Sequence, residues 1–208
     1  MKLGVTKEEK DLDIYTTNNL KPSMQCTKAA LKARSILGRI RRHFKTIDAE
    51  EFHILYDSYI RPHMKYYVQV WSPYLRKDIE CLERVQMSAT KIVTGLRKME
   101  YEERLRRLKM TTLENRRLRG EMIETWKILN GREDIDSSQF FQMATCSHNL
   151  RGHSMRSYTM RNRLDLRRYS FSQRVVKHWN HVPQHVVDAP SLNAFNNHFD
   201  KFSELREQ

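Results

Sequence analysis

Residues 25–45 read QCTKAALKARSILGRIRRHFK. Ala29, Ala33, Ile36, Leu37, Ile40 and Phe44 recur at spacings of three and four, the period of one buried face of an α-helix. Lys28, Lys32, Arg34, Arg39, Arg41, Arg42 and Lys45 fill the positions between them. No acid occurs between Asp13 and Asp48, an interval that also holds Lys21. The stretch therefore predicts one helix with an apolar stripe and a basic face, and it sets the expectation of a mainly α fold.

The same period continues toward the C-terminus. Asp48 and Glu51 have capping-box spacing and open a second helix through Phe52, Leu55, Tyr56, Tyr59 and Ile60. Pro62 ends or kinks it. Tyr66 to Tyr74 is aromatic and poorly charged, and reads as a buried turn or short helix. Leu75 to Leu96 predicts a long amphipathic helix, with Ile79, Leu82, Val85, Ala89, Ile92, Val93 and Leu96 as its stripe and Gly95 near its end. Tyr101 to Leu108 is a short, charged helix. Thr111 with Glu114 reads as another capping box, opening a helix through Leu118, Met122, Trp126 and Leu129 that Gly131 closes.

The composition changes after Glu133-Asp134-Ile135-Asp136. From Ser137 to Val187 there is one acid, Asp165, against Arg151, Arg156, Arg161, Arg163, Arg167, Arg168, Arg174 and Lys177. Ser157 to Leu166 reads as loop or strand, Phe171 to Trp179 as a helix stopped before Pro183, and Pro190-Ser191 as the start of a last helix with Leu192, Phe195 and Phe199. At the other end, Leu3, Val5, Leu12 and Ile14 suggest one or two short strands, a turn at Asn18-Asn19 and a boundary at Pro22. The expected architecture is thus a β remnant over 1–24, a helical bundle over 25–131 and a basic, mixed segment over 132–208.

The chain has 208 residues, 38 Lys+Arg against 25 Asp+Glu, and a formal net charge of +13, so polyanions are attracted to it. Its 30% charged residues with 6 Gly and 5 Pro favour a folded, helix-rich protein over a disordered tail. Cys26, Cys81 and Cys146 are odd in number and widely spaced, which implies no disulfide framework. No stretch approaches the ~20 apolar residues of a membrane span. Met1 to Lys10 lacks an apolar core, so no signal peptide is expected; the chain starts abruptly, as if cut from a longer one.

Several blocks, in order, carry a resemblance. They are Glu9-Lys10-Asp11-Leu12 with Asn19-Leu20-Lys21; Lys28-Ala29-Ala30 through Leu37-Gly38 and Arg42; Leu55-Tyr56; Arg61-Pro62-His63; and Tyr66 to Pro73. There follow Ala89-Thr90-Lys91, Tyr101 to Leu105, Arg116 to Gly120, Phe171 to Val176, Trp179-Asn180, Pro183 and Ala189 to Leu192. Together they resemble the region downstream of the catalytic core in non-LTR (LINE-type, jockey and chicken-repeat-like) retrotransposon reverse transcriptases. One position departs: Asp13 and Ile14 stand where the family usually has Gly and Val. The resemblance implies a palm remnant, a thumb-like helical bundle that grips template–primer, and a basic C-terminal segment that holds RNA or target DNA. In that family polymerisation uses magnesium held by a Tyr-x-Asp-Asp hairpin in the palm.

No adjacent Asp-Asp pair exists in this chain, so two-metal chemistry is not expected of it alone. Asp11-Leu12-Asp13 reads as a solvated strand end, and Glu133 to Asp136 as a charged linker. Cys146-x-His148, His153, His178-x-x-His181 and His185 have spacings that a zinc site could use, but paired cysteines are missing. Trp71 and Trp126 lie on apolar stripes and read as core; Trp179, among His178, Asn180 and His181, leaves core and base-stacking open.

The expectation is a non-catalytic, intracellular (nuclear and cytoplasmic) fragment that binds RNA, DNA or an RNA–DNA duplex. No resident cofactor, metal or membrane is expected. Its contacts are expected at Lys32, Arg34, Arg39, Arg41, Arg42 and Lys45 in the first helix, and at Arg151, Arg156, Arg161, Arg163, Arg167, Arg168, Arg174 and Lys177 in the C-terminal segment. The alternative is a helical protein-interaction module whose basic surface docks acidic partners.

Overall fold

The computed structural model describes residues 6–144 and 152–205, so Leu3, Val5, Cys146, His148 and Arg151 lie outside the described residues. The fold is mainly α, with a short two-stranded antiparallel sheet at its N-terminus. Strand β1 (Glu8–Asp11) pairs with β2 (Ile14–Thr17), Asp11 opposite Ile14. Leu12 (φ 45°) and Asp13 (φ 65°) both take left-handed conformations in the two-residue turn between them. Such a turn needs φ > 0 at both positions, which Asp tolerates better than Leu. The strands lie later than the apolar pairs suggest, because the turn sits on Leu12-Asp13 and not beyond them.

Helix α1 (Ser23–His43) buries Cys26, Ala29, Ala30, Ala33, Ile36, Leu37 and Ile40. Phe44, taken as the last member of the stripe, is extended and exposed. The small alanines let α1 lie close to α5 (Arg76–Thr90), its main packing partner. The Tyr15 N–H donates to Gln25 Oε1 at 2.9 Å, which ties β2 to α1.

The Asp48–Glu51 capping box forms in both directions at the start of α2 (Ala49–Leu55). A π-helical turn (Tyr56–Ile60) then leads into α3 (Arg61–Lys65). Pro62 explains the wider turn. It has no N–H to donate and its ring would crowd the carbonyl four residues back, so the helix loosens locally and runs on through the proline. The aromatic stretch forms α4 (Val68–Trp71), entered through Tyr67 at φ 46°. Trp71 is buried and its indole N–H donates to the Tyr66 carbonyl at 2.7 Å.

Two expected boundaries are corrected. Helix α5 ends at Thr90, six residues before Leu96. Val93 and Leu96 are still buried, but on turns that Gly95 (φ +82°) allows, which is why the apolar period alone overran the end. The cap of α7 (Leu113–Leu129) is Thr112, whose Oγ1 accepts the Asn115 N–H, and not Thr111 with Glu114. Between them lies α6 (Tyr101–Arg107). Gly131 (φ +61°) closes α7 as expected: its own N–H reaches the Ile128 carbonyl, and the Arg132 N–H reaches that of Lys127, the paired bonds of a Schellman motif.

The chain divides into two compact units, Met1–Arg117 and Leu118–Gln208. The division falls inside α7, whereas the composition places it after Gly131. Leu113 joins the first core, but Met122, Trp126 and Ile128 pack with Phe141, Val175, Trp179 and Phe195 in the second. The N-terminal hairpin joins the first unit, through Ile14 against its core. The second unit also contains α8 (Asp165–Arg168), α9 (Phe171–Trp179), α10 (Gln184–Val187) and α11 (Leu192–Glu204). Ser191 caps α11 by accepting the Ala194 N–H. Ser157 to Leu166 is mostly irregular, with one bridge from Ser157 to Met143.

Candidate nucleic-acid interface

The core face of α1 fixes where its charges go. With seven apolar positions and Gln25 buried, Lys28, Lys32, Arg39 and Arg42 fall away from the core at helical spacing, and all four are exposed. From Lys28 to Arg42 is fourteen residue steps, about 21 Å at 1.5 Å per residue. Among the described residues none of the four has an ion pair with a carboxylate. Lys28 lies over the Tyr15 ring, 5.1 Å from its centroid. Arg34, Arg41 and Lys45 are exposed on the flank nearer α5, where the Arg41 guanidinium donates to the Ser88 carbonyl at 2.7 Å. The sequence-selected residues of the first helix are thus all on the surface, on two sides of it rather than one.

Arg41, Arg42 and His43 in the last turn also suit the negative end of the helix dipole. That effect is confined to the last turn and does not account for Lys28, Lys32 and Arg39. Beside the stripe lies a groove of about 420 Å³ lined by Arg39, His43, Phe44, Tyr59 and His63 among others. Burial, and secondarily Lys32, hold the His63 imidazole below its ordinary value, opposed by Asp13.

In the second unit the selected residues separate. Arg161, Arg163, Arg167, Arg168 and Lys177 are exposed. The loop carrying the first two is tied to α9 by Gln173, whose Oε1 accepts the Met160 N–H at 3.1 Å. Arg168 is shared with Asp165 at 3.6 Å, and Leu164 and Leu166 stand exposed between the arginines. Arg156 is half-buried. Arg174, also among the expected contacts, is engaged within the fold: it is paired to Glu121 at 2.8 Å, donates to the Tyr169 carbonyl and covers the Phe171 ring. Sequence distance hid that pairing, since Glu121 lies 53 positions away. A second such pair joins Arg119 to Asp200 through two bonds of 2.6 and 2.9 Å.

Trp179 is fully buried and its indole N–H donates to the Met155 carbonyl, so it is core and not a stacking platform. His153 packs edge-on against it, and its Nε2 lies 2.9 Å from the Trp179 carbonyl. Among the described residues no group of three His, Cys, Asp or Glu side chains is placed to hold a metal ion. Nor is any helix among them long and apolar enough to cross a membrane.

His153 gives the second unit a pH response. Bonding Nε2 to a carbonyl makes Nε2 the protonated nitrogen, and among the described residues the buried Nδ1 has no hydrogen-bond partner. Burial holds the imidazole below the ordinary 6.5, opposed by the Trp179 carbonyl bond. The unfolded state therefore binds the proton more readily. Stability is complete above about pH 6.5 and falls as pH drops through the window below it. Thermal melts of the second unit between pH 7.5 and 5 are expected to show this decline, and His153→Gln, which keeps a donor but does not titrate, is expected to weaken it. An unchanged pH profile in that variant would assign the decline to other groups.

No family model, no curated protein and no solved structure matches the chain.

Proposed function

We propose that the chain is the non-catalytic, nucleic-acid-binding part of a LINE-type reverse transcriptase, gripping template–primer or target nucleic acid through the outer face of α1. The observation that carries this reading is the stripe of Lys28, Lys32, Arg39 and Arg42, exposed over about 21 Å of a helix that itself contains no acid. A folded domain gains nothing from one-sided charge, which repels itself; a polyanion removes that repulsion. The convex helix presents cations at spacings that a phosphate backbone can follow, with no side-chain pattern suited to reading base edges. The ordered resemblance of the sequence blocks supports the parentage. Arg161, Arg163, Arg167 and Arg168 form a second basic surface, where Arg forks suit phosphate oxygens.

Backbone contact releases counterions, about 0.9 in the slope of log affinity against log salt per phosphate neutralised on duplex DNA. Lys32→Gln, Arg39→Gln and Arg42→Gln together are expected to flatten that slope by up to about three units, equally for unrelated duplex sequences. Because all three are exposed, the melting temperature is expected to stay close to that of the parent. The same measurement with Arg161, Arg163, Arg167 and Arg168 changed to Gln tests the second surface. A parental slope in the α1 variant, or binding restricted to acidic polypeptides, would refute the reading.

A further inference from the structure

At the C-terminal end of α1 the surface turns concave. A pocket of about 690 Å³ is lined by Arg41 from the last turn of α1 and Lys45 just beyond it, and by Lys91 and Arg97 from the turns that follow α5. No carboxylate lines it. Among the described residues none of the four cations is ion-paired; Arg41 is held in place by a neutral partner, the Ser88 carbonyl at 2.7 Å.

The pocket is built by the backbone. The Thr94 N–H donates to the Ile47 carbonyl at 2.9 Å, and the Ile47 N–H donates back to Thr94 Oγ1 at 3.3 Å. This reciprocal pair clamps the segment after α1 to the turn after α5. Ile47 and Val93 are buried and pack into the core as its anchor. Gly95, at φ +82°, lets the chain reverse so that Arg97 returns to the same rim as Lys91. Phe44, 43% exposed, offers an aromatic face at the wall.

A recess with cations of one sign on apolar walls concentrates the field more than a convex helix does. It suits a compact anion of more than one charge. A phosphate monoester carries close to two charges and three acceptor oxygens at pH 7, against one charge on a backbone diester. The volume and the Phe44 face admit the attached nucleotide as well. From this geometry we infer that the pocket seats the terminal phosphate and last nucleotide of a nucleic-acid strand lying along α1. The inference rests on the duplex-binding reading above and names the part of the strand that this end of the helix receives.

The test compares two labelled duplexes of one sequence by fluorescence anisotropy, with phosphate or hydroxyl at the unlabelled ends. The phosphorylated duplex is expected to bind about tenfold or more tightly, the gain of one charge-assisted contact. Lys91→Gln and Arg97→Gln, singly, are each expected to reduce that preference. Neither residue lies on the outer stripe, so affinity for the hydroxyl-ended duplex is expected to fall less than that for the phosphorylated one. A free nucleoside monophosphate is expected to compete far more weakly than the phosphorylated duplex. Equal affinity for the two duplexes, or a preference that survives in both variants, overturns the inference alone. Competition by the mononucleotide as strong as that of the duplex makes this a mononucleotide site and overturns the strand-end assignment. Failure to bind either duplex overturns the duplex-binding reading, and this inference with it.

Discussion

Trp126→Ala is expected to destabilise the second unit by about 3–5 kcal/mol, the usual cost of truncating a fully buried tryptophan. The side chain is 1% exposed, its ring stacks on Phe195 with centroids 5.4 Å apart, and its N–H donates to the Val187 carbonyl at 3.0 Å. Alanine would leave a cavity between α7 and α11 and a buried carbonyl without its donor. Trp126→Phe keeps one ring against Phe195, loses the hydrogen bond and leaves a smaller cavity than alanine, so its cost is expected to be smaller than that of Trp126→Ala. Native-state amide exchange separates the effect by unit: protection in α9 and α11 is expected to fall, with α1 as the internal reference. A loss below about 1 kcal/mol for the alanine variant would mean that the site relaxes to fill the cavity or that Trp126 is not in the core.

Gln86→Leu is expected to cost the first unit about 2–5 kcal/mol, although leucine nearly preserves volume, because the change orphans buried polar groups at about 1–3 kcal/mol each. The Gln86 carboxamide is 1% exposed. Its Oε1 accepts the Tyr56 hydroxyl at 2.6 Å, and its Nε2 donates to the Tyr101 hydroxyl and to the Thr111 carbonyl, both at 2.9 Å. The Tyr101 hydroxyl in turn donates to Glu83, whose other oxygen accepts the Leu113 N–H at 3.0 Å. The network therefore joins the π-turn, α5, α6 and the start of α7. Burial holds both phenols well above the ordinary phenol range, so they remain donors throughout the working pH range. Urea unfolding of the variant checks the value. A cost under about 1 kcal/mol would show that water takes over the orphaned groups.

Most helices were legible because periodicity reports which face is buried, and caps report where a helix begins. Asp48 with Glu51 and Gly131 did what their local chemistry requires. Val93 and Leu96 keep the apolar period and are buried beyond the end of α5, because burial does not require a helix. The cap of α7 was misplaced by one residue because Glu83, 30 positions away, satisfies the Leu113 N–H that opens the helix. The basic face of α1 was visible as residues and not as a shape. That Lys28, Lys32, Arg39 and Arg42 face outward while Arg41 and Lys45 line a recess depends on the turn after α5.

By itself the sequence determined the helical class, the core face of α1 and its excess of positive charge, since these follow from local spacing and composition. Tertiary structure alone decided which charges are neutralised and which remain open. Arg174 is closed by Glu121, while Lys91 and Arg97 come to the rim of a pocket begun by Arg41 and Lys45. It also decided that the units divide within α7, where the residues after Arg117 turn to a different set of apolar partners. The physical reason is the same throughout. Local rules act over a few residues, whereas ion pairing, buried polar networks and pocket walls are made between residues tens of positions apart, and only packing brings those together.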